Sequence, residues 1–222
     1  MALLPPLTRD QVAPDLLPLW DECARHLPAF EHLWSTMAHS PTIFRSIWSQ
    51  LLELKRESPV QARHFELAIV VVSALNRCTY CVSHHAPLAR QTGYSPAQVE
   101  YITGLTLGPL PEDHVFPPRP GFSREDGLVI DLAHFLVGAG LSPHTGSASP
   151  RVVHVLRRRL FALLAERFTP RQIEELVWRT TQCVAFNWHN EFLEIDVEPG
   201  VTPGSTSVDH ALSSQSVAAR LP

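Results

Sequence analysis

Apolar residues along this chain recur every three or four positions, and polar stretches rich in proline and glycine separate the runs. That period is helical, not the two-residue alternation of a half-buried strand. After Thr169, the residues Ile173, Leu176, Val177, Thr180, Val184, Trp188 and Phe192 fall on one helical stripe and are expected to face the core. Three segments share a start signal: Ser58-Pro59-Val60-Gln61, Ser95-Pro96-Ala97-Gln98 and Thr169-Pro170-Arg171-Gln172. In each, a hydroxyl can accept a backbone N–H, proline loses no helical bond, and glutamine can reach back to the cap. Thr8-Arg9-Asp10-Gln11 is the same box without proline, and Ser40-Pro41 and Ser149-Pro150 are shorter versions. Segments 124–138 and 150–168 are long enough for helices, and Gly93 suits a helix C-terminus. The pattern predicts an all-α fold of roughly eight helices. Residues 108–121 and 140–150 read as loops, residues 1–199 as one helical domain, and residues 200–222 as a disordered polar tail.

Ile69-Val70-Val71-Val72 is β-branched and favours a strand on propensity alone. Two features predict a helix instead. A cap at Ser58 would open an uninterrupted run of about 18 residues, too long for an ordinary strand, and no strand–helix alternation surrounds it. A helix apolar nearly all round is a central, buried one.

Composition narrows the function. The chain has 222 residues, 45% hydrophobic and 18% charged, enough for one sizeable core. A net charge of -4 and a pI near 6.3 imply no broad basic face, so no nucleic-acid partner is expected. The dense basic run Arg157-Arg158-Arg159 reads as a solvated helix face. No apolar run approaches the ~20 residues of a membrane span, and the N-terminus lacks the pattern of a signal peptide. A cytoplasmic protein without a membrane partner is the expectation. Of the four cysteines, Cys23 and Cys183 stand alone and read as buried structural residues, so no secreted disulfide framework is implied.

The chemistry concentrates between Glu66 and His85, in ELAIVVVSALNRCTYCVSHH. Cys78 and Cys81 form a Cys-x-x-Cys pair, and His84 and His85 follow. Two sulfurs that can close on each other, an imidazole and a carboxylate suit thiol redox chemistry. Asn76-Arg77 offers a break, after which Cys78 opens a helix and feels the end of the dipole that stabilises thiolate. Cys78 and Cys81 are then on one face, with His85 one turn beyond Cys81 and His84 somewhat aside. In one straight helix Glu66 would lie roughly 22 Å from Cys81. A chain reversal near Asn76 instead sets Glu66 beside His85 and predicts a relay from Glu66 through His85 to Cys81.

At these residues the chain resembles the alkylhydroperoxidase D-like proteins of the carboxymuconolactone decarboxylase superfamily. The shared pattern is Glu66, twelve residues to Cys78, then Cys81, then His85 four further on. Leu75-Asn76-Arg77-Cys78 and Tyr80-Cys81 are similar too, and a weaker likeness runs through Phe186-Asn187-Trp188-His189 to Asp196-Val197-Glu198. The resemblance implies a compact multi-helix domain whose central helix hairpin carries Cys-x-x-Cys. It implies homo-oligomers and a peroxidase without metal or other cofactor. Cys81 would attack the peroxide, Cys78 would resolve the product to a disulfide, and His85 and Glu66 would handle the proton. The implied partners are a hydroperoxide substrate and a lipoyl- or thioredoxin-type dithiol reductant. The best-described peroxidases of the family carry histidine where this chain has Tyr80, a neutral donor at pH 7.

Other readings compete. Zinc would need a fourth ligand beyond Cys78, Cys81 and His85, and two inert buried cysteines are a further possibility. A redox-sensing protein or a thioredoxin-like oxidoreductase would use the same pair. Tyr80 is expected to pack at or line the site mouth. His84 reads as a surface or hydrogen-bonded residue. His189 reads as a rim residue and Trp188 as part of the apolar stripe.

Overall fold

The computed structural model of the protein describes residues 2–108, 111–138 and 149–202. Its helices are α1 Leu17–His26, α2 Glu31–Met37, α3 Pro41–Glu57, α4 Ala62–Leu75, α5 Thr79–Gln91, α6 Pro96–Thr103, α7 Arg124–Gly138, α8 Pro150–Ala165 and α9 Pro170–Leu193. Short 3-10 turns precede α1 and α2. No described residue lies in a strand, which removes the thioredoxin-like reading. Most of the loop expected at 140–150, and all but the first three residues of the expected tail, lie outside the described residues.

Hydroxyl caps do open helices. Ser40, Ser95, Ser149 and Thr169 each accept a backbone N–H from the third helical residue of α3, α6, α8 and α9. At Ser95 and Thr169 the glutamine reaches back to close the box. The box at Thr8 closes on a 3-10 turn only. The signal at Ser58 fails. Ser58 is extended before Pro59 (ψ 134°), as the working caps are, but it closes α3 and no helix follows it directly. Its hydroxyl accepts from Val60 N–H at 3.1 Å and donates to the Glu175 carboxylate. Helix α4 therefore begins later than expected, after Gln61.

Every residue of α4 from Leu67 to Leu75 is buried, and α5, α6, α7 and α9 pack around it. The β-branched run is thus a central helix because tertiary burial outweighs its strand propensity. Two apolar clusters result. One joins α4 to α6, α7, α8 and α9. The other joins α1, α2 and α3 to Cys78, Tyr80, Cys81 and Phe186.

The stripe expected on α9 is out of phase at its end. Trp188 is 62% exposed and Phe192 78% exposed, while Cys183, Asn187 and Asn190 face inward. Cys23 and Cys183 are both buried.

Asp126 on α7 is buried and accepts from Arg63 Nη2 at 2.9 Å and Tyr94 Oη at 2.6 Å, with His64 Nε2 at 3.4 Å. Burial alone would raise its pKa, but the hydrogen bonds of His64, Tyr94 and Ser123 and the charge of Arg63 hold it below the usual carboxylate range. This cluster ties α7 to α4. Asp126→Asn should destabilise by on the order of 2 kcal/mol, less than a fully enclosed pair because Arg63 is partly exposed. Because the folded pKa is depressed, this stabilisation is complete above the unfolded value and fades as pH falls below it. Urea titrations of both proteins at neutral and acidic pH should therefore converge toward the acid end.

Candidate active site

Helix α4 stops at Leu75 because the next residues form a closed C-terminal turn. Arg77 adopts φ 61°, its N–H bonds the Ala74 carbonyl at 3.1 Å, and the Cys78 N–H bonds the Ser73 carbonyl at 2.9 Å. These are the two bonds of a Schellman turn, here with arginine in the position glycine usually takes. Asn76 Nδ2 donates to Asn187 Oδ1 at 3.0 Å and fastens the turn to α9. Cys78 is the residue just before α5, and Cys81 is the third residue within it.

The antiparallel return brings Glu66 and His85 together. Glu66 Oε2 lies 2.7 Å from His85 Nδ1, with both side chains largely buried. A carboxylate oxygen accepts, so the ring donates its Nδ1–H to Glu66 and turns Nε2 away from it. The Phe30 ring packs 5.0 Å from that of His85.

The two cysteines are electrostatically unequal. The Cys78 S–H donates to Cys81, which holds Cys81 below the usual thiol range against the opposing effect of burial. The charge of His85 and hydrogen bonds from Asn187 and Asn190 add to this, with Asn190 Nδ2 3.3 Å from Cys81 Sγ. Cys78 is pushed up by that same bond and by burial. Ionisation is thus favoured at Cys81 over Cys78. The third helical position keeps Cys81 within the first turn, where the dipole also acts. Cys23 and Cys183 are each pushed up to about 12, chiefly by burial.

His84 is not on the surface. Its Nδ1 faces the Tyr80 carbonyl at 2.7 Å and its Nε2 the Glu198 carboxylate at 2.6 Å. Burial opposes the charged ring, but the hydrogen bonds to Glu198 and Tyr80 outweigh it and raise the His84 pKa above the ordinary imidazole value. Tyr80 Oη also donates to Glu198, at 2.8 Å. His189 stands apart, with Nδ1 3.2 Å from Asn190 Oδ1 and no share in the cavity wall. Among the described residues no group of three His, Cys, Asp or Glu side chains is arranged to hold a metal ion.

Cys81, His85, Glu66 and Tyr80 open into one cavity of about 460 Å³. Its wall is mainly apolar, with Phe30, Leu33, Trp48, Leu51, Phe65 and Ile69 among the lining residues. That volume falls within the ~300–1,000 Å³ typical of small-molecule sites. The contacts of Asn187, Asn190 and Glu198 with the site could not be read from the sequence, since their partners are more than a hundred residues away.

A model of the carboxymuconolactone decarboxylase family matches residues 44–104, from α3 to the end of α6. No curated protein matches the chain. Among solved structures, the debrominase Bmp8 in complex with 2,3,4-tribromopyrrole superposes with a TM-score of 0.63 at 15% identity, over 90% of this chain and 93% of that one. A peroxidase-related protein with an alkylhydroperoxidase AhpD core, from Ralstonia eutropha JMP134, gives 0.60 at 15% identity over 89% and 93%. A peroxidase-related protein from Silicibacter sp. TM1040 gives 0.58 at 17% identity over 89% and 94%. Residues 44–104 thus match the carboxymuconolactone decarboxylase family, and the chain has the all-α fold of the alkylhydroperoxidase D-like structures on which it superposes.

Alkylation tests the inequality of the thiols. Iodoacetamide at neutral pH should label Cys81 well before Cys78, Cys23 or Cys183, read by peptide mass spectrometry. Cys78→Ala removes the S–H donor and should move the Cys81 rate profile to higher pH. Equal labelling of Cys78 and Cys81, or an unmoved profile, would refute the assignment.

Proposed function

We propose that the protein is a thiol-dependent hydroperoxide reductase. The supporting observation is the Glu66–His85 pair at 2.7 Å beside a thiol whose ionisation is favoured, all on the wall of one cavity. Cys81 thiolate attacks the distal peroxide oxygen. The S–O bond forms as the O–O bond breaks, and the leaving alkoxide takes a proton by way of His85, whose Nδ1–H is held by Glu66. Cys81 is then a sulfenic acid. Cys78 sulfur displaces its hydroxyl, giving a Cys78–Cys81 disulfide and water. A dithiol protein of lipoyl or thioredoxin type returns both thiols by exchange and leaves with its own disulfide. Tyr80 takes no proton in this scheme; bonded to Glu198, it fixes the C-terminal segment against α5. A sensor using the same disulfide would need no organic-sized cavity beside the reacting sulfur, so the cavity favours the enzyme.

Peroxide treatment followed by mass spectrometry should give the Cys78–Cys81 disulfide in the wild type and no oxidised thiol at the pair in Cys81→Ser. Glu66→Gln should slow oxidation by about 10²-fold or more, the usual scale of a lost proton-transfer group. A wild-type rate in that variant at every pH would remove Glu66 from the mechanism.

A second copy of the chain is the further partner this reading includes. Trp188 and Phe192 lie exposed on α9 and supply an apolar face for association. Light scattering after gel filtration should give a multiple of the chain mass, reduced in Trp188→Glu/Phe192→Glu. A monomeric wild type would end this part of the proposal.

A further inference from the structure

Two donors on the cavity wall have no protein acceptor. Arg179 Nη1 and Trp48 Nε1 are both buried and unpaired, and both residues line the cavity that holds Cys81. They converge on one side chain. Arg179 Cζ is 5.8 Å from the centroid of the Phe186 ring, and the Trp48 and Phe186 rings are 6.1 Å apart. Phe186 precedes by four residues Asn190, the donor to Cys81 Sγ. The side chains of both donors therefore meet at Phe186, one turn of α9 (~6 Å of rise) from Asn190, while Arg179 itself lies ~16 Å of rise from it.

The other Lys or Arg on this wall is Lys55, and its Nζ already donates to the His26 carbonyl at 2.8 Å. Glu66, the carboxylate on the wall, is engaged by His85. Arg179 is thus left without an internal counter-charge. A guanidinium drawn from water among apolar side chains is costly unless an anion compensates it. Guanidinium and indole N–H groups donate only, so the matching group is an acceptor, and a carboxylate satisfies both charge and hydrogen bonds. Phe30, Leu51, Phe65 and Ile69 supply apolar wall for the remainder of such a molecule.

We propose that the cavity binds an apolar organic acid, its carboxylate held by Arg179 and Trp48 and its hydroperoxide turned toward Cys81. The hydroperoxide part rests on the peroxidase reading; the carboxylate subsite does not depend on thiol chemistry. Arg179 and Trp48 make the site select acids over neutral compounds of the same length.

Unreactive probes separate the two. Calorimetric titration of the full chain with octanoate and with octanol should show octanoate binding at least about tenfold tighter, the scale of one charge-assisted hydrogen bond. Arg179→Gln should abolish that preference while leaving octanol affinity in place. Trp48→Phe should narrow it several-fold, and Cys81→Ser should retain it. Equal binding of the two probes by the wild type overturns the proposal without any variant, as does a preference that survives in Arg179→Gln. A preserved preference in a protein whose thiols ignore peroxide would support the subsite and defeat the peroxidase reading; the converse would leave the thiol chemistry and remove the subsite.

Discussion

Arg77 holds a left-handed backbone conformation, φ 61°, which costs a residue with a side chain about 1–2 kcal/mol. Two backbone bonds across the turn and the clasp between Asn76 and Asn187 offset that cost. The site depends on this reversal. It sets Glu66 against His85 although 19 residues separate them, and it places Cys81 in the first turn of α5. A residue gained or lost in the turn would rotate α5 by about 100° and carry His85 off the carboxylate. The strain is held where the chain needs an abrupt change of direction between two buried helices, the setting in which such conformations persist.

Burial works against a thiolate, and Cys81 is only 4% exposed. Its charge is supported by short-range donors: the Cys78 S–H, the amides of Asn187 and Asn190, and the charge of His85. The support is asymmetric because Cys78 can donate to Cys81 but has no comparable donors of its own. The two sulfurs thus differ in their surroundings, ionisation being favoured at Cys81 and opposed at Cys78. His84 contributes differently. Locked between the Tyr80 carbonyl and Glu198, it anchors the segment after α9.

The local features of this arrangement were legible in the sequence. The all-α class followed from the period of apolar residues, and the meeting of Glu66 with His85 followed from counting residues either side of Asn76. What failed involved competition between two rules at one position. Ser58 carries a helix-start pattern, yet it closes α3, and a hydroxyl followed by proline does not say which side the helix lies on. Asn187, Asn190 and Glu198 could not be found because their roles arise only when α9 and the segment after it are laid against α5.

Helix α9 explains why its own stripe misled. Arg179, Cys183, Phe186, Asn187 and Asn190 lie at helical intervals, and that face turns toward α4, α5 and the cavity. A hydropathy reading assigns such residues to solvent and so rotates the helix toward Trp188 and Phe192. The inward placement of a polar face is tolerated because its groups find partners, as Asn187 does with Asn76 and Ser73. It is also tolerated because the middle of α4 opposite is apolar: Leu67, Val70, Val71 and Val72 each have 0% exposure. At about 1.5–3 kcal/mol per large side chain buried, α4 supplies stability that α9 does not. The division of labour sets the cavity at the seam of the two apolar clusters, since only there do an apolar wall and the polar face of α9 meet around one sulfur.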